Sequence, residues 1–100
     1  MKFRIAATSG FFIYIFEKKT PGCVIEAENP EEVAQRSGGM YVRFGVEHGL
    51  LVPPDSFDRF SEFIKGNNGN VEEFLKWWER GDLVERNGIK GKIFLIEEEI

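Results

Sequence analysis

Two amphipathic helices in succession in the second half of this chain constrain its fold most, because each carries an apolar stripe that another layer has to cover. The first is signalled by Asp55 or Ser56 as a cap and by Phe57, Phe60, Phe63 and Ile64 at helical spacing over residues 56–65. Gly66-Asn67-Asn68-Gly69 has no periodicity and reads as a loop. Asn70 opens a second helix, over residues 70–80, with Glu73 in the capping-box position and Gly81 as the stop. Projected at about 100° per residue, Val71, Phe74, Leu75 and Trp78 share one arc, which is assigned to the core. Trp77 falls on the border with the polar arc of Glu72, Glu73, Lys76, Glu79 and Arg80.

The complementary layer comes from segments that lack helical spacing. Lys2 to Thr8 and Phe11 to Lys18 read as strands joined at Ser9-Gly10, rich in β-branched and aromatic residues. Phe12, Tyr14 and Phe16 share one face of the second strand and Phe11, Ile13 and Ile15 the other. Two apolar faces mark a central strand, or one covered by a partner molecule. Thr20-Pro21-Gly22 reads as a turn before a short third strand, Cys23 to Ala27. Asn29 caps a helix over residues 30–37, with Pro30 in the first helical position, Glu32 placed to reach back, and Gly38-Gly39 as the stop. Met40 to Gly45 alternates as a strand, Tyr41 and Arg43 on one side, Val42 and Phe44 on the other. Residues 46–54, ending in Pro53-Pro54, read as a connection. Leu83 to Arg86, Asn87-Gly88 and Ile89 to Glu97 form a hairpin, since Asn-Gly supplies the positive φ angles of a two-residue turn. Gly91 is a candidate bulge, and Glu97-Glu98-Glu99 a solvated end.

The expectation is a single α+β domain over residues 1–100. Its mainly antiparallel sheet, from residues 2–45, is extended or flanked by the 83–97 hairpin, and three helices pack on it. Hydrophobic residues at 42% with 30% charged fit a folded chain. The longest apolar run, Phe11 to Phe16, is far short of the ~20 residues that cross a bilayer, and no secretory signal is evident, so no membrane role is expected. One cysteine forms no internal disulfide, which suits a reducing compartment, the cytoplasm.

The net charge is −4, and the acid sits in the second half: residues 51–100 hold seven basic against eleven acidic groups, where residues 1–50 hold six of each. A nucleic-acid binder carries a basic surplus that replaces counterions on phosphate, and this balance argues against one. Even so, residues 55–97 have the helix, helix, strand, turn, strand order of a winged helix, with Arg86, Lys90 and Lys92 on the wing. The helix between would present Glu72, Glu73 and Glu79 to the phosphates, against Lys76 and Arg80.

Groups that do chemistry are sparse. His48 follows Glu47 in the 46–54 connection, and a neighbouring carboxylate can tune an imidazole, but adjacent side chains point apart and a surface histidine is the plainer reading. Cys23 in a strand behaves as a small buried hydrophobe, and one Cys with one His is too few for a protein-only zinc site. Asp55, Asp58 and Glu62 lie about a turn apart, where they could hold a hard cation weakly, though capping and solubility also explain them. No cofactor is expected.

Residues 2–34 resemble the start of HicB-like antitoxins: two strands, then Pro21-Gly22-Cys23, then a step to Glu31-Glu32-Val33 opening a helix. The chain departs from that pattern at Ala27, where Gly is usual, at Asn29 in place of Thr, and in a helix that stops early at Gly38. The resemblance implies a non-catalytic, toxin-neutralising domain, dimeric, and leaves the second half unexplained.

The sequence therefore points to a small non-enzymatic domain with a protein partner or a second copy of itself, contacted around Trp77, the acidic second half or an exposed edge strand. Tryptophan is enriched at binding hot spots, but extended core, over the loop or hairpin, is the plainer reading of Trp77. Nucleic-acid binding through Arg86, Lys90 and Lys92 is the alternative, and an enzyme using His48 with helix carboxylates the third reading.

Overall fold

The computed structural model describes residues 1–10 and 16–99. Among them, in chain order, are strands β1 (Lys2–Gly10) and β2 (Phe16–Glu26), helix α1 (Pro30–Ser37), strands β3 (Met40–Phe44) and β4 (Glu47–Val52), a 3₁₀ turn (Pro54–Ser56), helices α2 (Phe57–Gly66) and α3 (Val71–Arg80), and strands β5 (Val84–Arg86) and β6 (Ile89–Glu99). The strands form one antiparallel sheet in the order β2-β1-β6-β4-β3, with β5 paired to the start of β6. The fold is α+β, as the sequence indicates.

The last strand sits in the middle of the sheet. Expected to extend or flank the sheet, β6 is inserted between β1 and β4, with Lys2–Ala6 facing Glu99–Leu95 on one side and His48–Val52 facing Ile96–Lys92 on the other. Ile93, Phe94, Leu95 and Ile96 are consecutive and each is 1% exposed, so both faces of β6 are covered. The acidic end is not solvated tail: Glu97–Glu99 pair with Arg4–Lys2, and Arg4 donates from Nε and an Nη to both oxygens of Glu99, at 3.1 and 2.7 Å. That hydrogen bond holds the Glu99 carboxyl below the ordinary carboxylate range.

All three helices pack on one face. Phe3, Ile5 and Ala7 of β1, Cys23 and Ile25 of β2, Leu50 and Val52 of β4, and Phe94 and Ile96 of β6 meet Val33 and Ala34 of α1, Phe60 and Ile64 of α2, and Phe74 and Trp77 of α3. Phe94 stacks on Phe60 with centroids 5.0 Å apart and lies 5.7 Å from Phe74, which meets Phe60 edge-on at 5.8 Å. Each such ring contributes about 2–3 kcal/mol by leaving water. Two caps form as read: Asn29 accepts from the Glu32 N–H at 2.8 Å and Asn70 from the Glu73 N–H at 3.3 Å. Neither Asp55 nor Ser56 caps α2, because the 3₁₀ turn at Pro54–Ser56 delivers the chain into the helix instead.

Three local readings are corrected, and a fourth lies outside the described residues. Ser9 and Gly10 are strand residues facing Glu17 and Phe16, not a turn. The two-faced apolar strand read over Phe11 to Phe16 falls on residues 11–15, outside the described residues. Thr20-Pro21-Gly22 is not a turn either: β2 runs straight through it, three residues standing opposite Ala6 alone in a large bulge. Pro21 has no N–H to give a ladder, and a Cβ at Gly22 would collide with the Ile5 carbonyl oxygen, so both residues suit an irregular edge. Residues 47–52 form β4 rather than a connection, with Leu50, Leu51 and Val52 wholly buried.

The hairpin, read correctly at its turn (Asn87 φ +53°, Gly88 φ +80°), does something further. Val84 packs with Val42, Leu51 and Ile93, and Met40 and Phe44 lean on the same cluster, which lies on the sheet face opposite the helices. So β5 folds over that second face. Gly91 is no bulge, since its pairing with Val84 is regular, but a Cβ there would sit 2.5 Å from the Val52 carbonyl oxygen. β6 needs glycine where it exchanges β5 for β4. Gly91→Ala should therefore cost about 1–3 kcal/mol in urea unfolding, whereas Gly66→Ala, with open space around it, should be neutral or mildly stabilising.

Candidate functional site

The second face and its rim are built outward from the β3–β4 hairpin. Gly45 at φ +60°, followed by Val46 without a positive φ, is the Gly-X pattern of a two-residue type II′ turn, and it pairs Phe44 with Glu47. Pairs in an antiparallel ladder alternate, so with Phe44 and Glu47 as the hydrogen-bonded closing pair, the backbone of Tyr41 and Arg43 turns away from β4. β3 ends the sheet order, which makes that outward side an edge. Across the strand pair Gly49 faces Val42, and a Cβ on it would come 2.8 Å from the Phe44 ring, so glycine lets that ring lie against the sheet. The Arg86 guanidinium lies 4.8 Å over the same ring.

Beside this edge runs a cleft of about 250 Å³ lined by Tyr41, Val42, Arg43, Arg86 and Asn87. Its lining straddles the sheet: Tyr41 packs with the helix-side core, Val42 with the opposite cluster. The cleft therefore follows the strand's rim, with the β5–β6 turn as its second wall. Arg43 is exposed, and its Nε donates to the Gly45 carbonyl at 2.9 Å. Tyr41 and His48 share a 2.6 Å hydrogen bond between the phenol oxygen and Nδ1, along a diagonal of the strand pair.

The residues singled out in the sequence are scattered. Trp77, read as a surface anchor or extended core, is 1% exposed in the main core. Leu75, assigned to the core, is 40% exposed, because the buried arc of α3 centres on Phe74 and takes in Trp77, with Val71 and Trp78 half-buried beside it. Trp78 packs instead on Phe57, at 4.5 Å, and Phe94. Lys92 is no wing residue: its Nζ donates to the carbonyls of Trp78 and Gly81, at 2.8 and 2.7 Å, and closes the end of α3. Arg86 lies on Phe44, and of the three basic residues Lys90 is the exposed one. With β5 laid over the sheet, the hairpin does not stand off as a wing.

The chemical candidates separate likewise. His48 lies within β4, half-buried and bonded to Tyr41, not on a surface loop. Cys23 is buried under α2, its Sγ 3.6 Å from the Asn67 carbonyl, and burial pushes the thiol up to about 11. Among the described residues no three of His, Cys, Asp and Glu come together as metal ligands, Asp55, Asp58 and Glu62 included. Glu62 lines a second cleft, about 480 Å³, between α2 and the start of α3, with Ser61, Lys65, Asn70 and Glu72. No described helix is long and apolar enough to cross a membrane. The β3 rim was missed in the sequence, though Gly45-Val46 between Phe44 and Leu50-Leu51-Val52 carries the hairpin signal.

No protein-family model, curated protein or solved structure matches the chain.

Two variants separate packing from surface roles. Trp77→Ala should lose about 3–5 kcal/mol in thermal unfolding, and Lys92→Met, which strips two hydrogen bonds from the end of α3, about 2 kcal/mol. Iodoacetamide at neutral pH should leave Cys23 unmodified until denaturant unfolds the chain, and rapid alkylation of the native protein would contradict its burial.

Proposed function

We propose that this chain is a non-enzymatic interaction domain that captures an extended segment of a protein partner along β3, which ends the sheet among the described residues. The observation that carries this reading is the cleft of Tyr41, Val42, Arg43, Arg86 and Asn87 beside an edge strand whose outward backbone groups belong to Tyr41 and Arg43. An added strand gains main-chain hydrogen bonds from such an edge, and specificity from side chains on either side of it. The chemical side chains support a binding role: the Cys23 thiol is buried and raised, and His48 is tied to Tyr41. A single buried cysteine also suits a reducing compartment such as the cytoplasm. The resemblance of residues 2–34 to HicB-like antitoxins points to the same class, with a toxin as the held protein.

The test is a panel of strand-forming decapeptides of threonine and valine that differ only in their two central residues, titrated into isotopically labelled protein. The amide resonances of Tyr41 and Arg43 should move and gain protection from exchange for at least one peptide. N-methylating that peptide along the side that faces β3 should abolish the effect. Shifts confined to the α2–α3 cleft, or indifference to N-methylation, would remove the edge from consideration.

A further inference from the structure

Building on the strand-addition reading, we infer that the extended segment β3 accepts is β3 of a second copy of this chain, paired antiparallel about a two-fold axis at Val42. A symmetric pairing presents the same surface from both sides, so the strand has to be complementary to its own reversal. Met40-Tyr41-Val42-Arg43-Phe44 meets that condition. With Val42 at the centre, Tyr41 of each copy stands opposite Arg43 of the other, Val42 opposite Val42, and Met40 opposite Phe44. Apolar residues meet apolar ones, and each arginine meets an aromatic ring.

The backbone selects the same register. Tyr41 and Arg43 are the β3 residues whose N–H and C=O turn away from β4, so a new ladder is made through them. Centring on Val42 sets outward residue against outward residue, and both exchange both of their main-chain hydrogen bonds. Centring on Arg43 would place like charges directly opposite and run the ladder into the turn at Gly45, while centring on Tyr41 would pair Arg43 with Gly39, outside the strand. On the helix side, where Tyr41 and Arg43 both lie, side chains add to the ladder. Arg43 is exposed, and its Nε bond to the Gly45 carbonyl uses the edge of the guanidinium, so its planar face suits the opposing Tyr41 ring. The 2.6 Å bond from the Tyr41 phenol to His48 Nδ1 holds that ring in place. On the other side Val42 lines the cleft beside the strand, and Val42 of the second copy enters it.

Sedimentation equilibrium over a concentration series, with spectra of isotopically labelled protein from the same samples, tests this. A short edge buries little area, so the dimer should assemble at roughly 100 μM and above. The amides of Tyr41 and Arg43 should shift along the same isotherm. In a mixture of labelled and unlabelled chains, NOEs should connect the Tyr41 ring of one copy to Arg43 of the other. Arg43→Ala, at an exposed site, should weaken the dimer about tenfold, through loss of two ring contacts each worth a factor of about three. Arg43→Pro removes an N–H that β4 does not use, and should abolish the dimer with the fold kept. If that variant unfolds, the Arg43→Ala isotherm and the NOEs decide. A chain that stays monomeric at about 1 mM, with β3 moved by a member of the decapeptide panel, would overturn the second copy and leave strand addition standing. A dimer whose shifts lie at the α2–α3 cleft or on β2, or one indifferent to Arg43→Ala, would also overturn the inference. If neither concentration nor peptide moves β3, both readings fall.

Discussion

Burial of β6 on both faces is the constraint from which the other features follow. Four consecutive residues, Ile93 to Ile96, have no polar member to turn toward water, so each face of the strand requires its own cover. The helix side is supplied by Phe60, Phe74 and Trp78 around Phe94. The other side has no helix among the described residues, and over Ile93 it is closed by β5, which the chain obtains by folding its own hairpin back across the sheet. Covering Ile93 in this way carries the Asn87-Gly88 turn to the rim of β3 and brings Arg86 over Phe44. The candidate site is thus a by-product of completing the core.

Small residues make that closure possible at two contacts. Gly91 admits the Val52 carbonyl where β6 exchanges neighbours, and Gly49 admits the Phe44 ring. The order of dependence runs from backbone to side chain to site: the ring must lie flat before a guanidinium can stack on it, and β5 must cross the sheet before its arginine can reach the ring. Lys92 has the opposite assignment. As a residue on the helix side of β6 it reaches the last carbonyls of α3, and its charge is spent on the helix terminus.

What the sequence made legible were features set by neighbours along the chain. Asn29 and Asn70 as caps, the helix ends at Gly38 and Gly81, and the Asn87-Gly88 turn all involve residues within about one helical turn, and all form. The errors fall where a distant contact outvotes a local signal. Thr20-Pro21-Gly22 has turn chemistry, yet its flanks, Lys19 and Cys23, are both held to β1 and the excess is absorbed in a bulge. Leu50-Leu51-Val52 alternates in neither period because both of its faces are buried, which hides a central strand from pattern reasoning. On α3 the amphipathic arc was found, but its centre depended on which of two adjacent tryptophans meets the core, a choice fixed by the docking of the helix and not by spacing. Arg86 was noticed for its charge, and its position beside Arg43 could not be seen because it requires the hairpin to fold over.

The two ends of the sheet are treated differently, and the difference bears on which one is a binding edge. An exposed edge strand invites pairing with another chain, and proteins blunt such edges with proline, bulges and lysine. β2 carries all three in its backbone course: Lys18, Lys19 and Pro21, the last within the three-residue bulge opposite Ala6. An incoming strand would find no regular ladder there. β3 carries none of them. Its five residues pair with β4 without a register shift, and the residue nearest the hairpin turn on the outward side is an arginine, not a lysine or proline. The regular edge, whose counterpart is disrupted, is the one on which the strand-addition proposal rests.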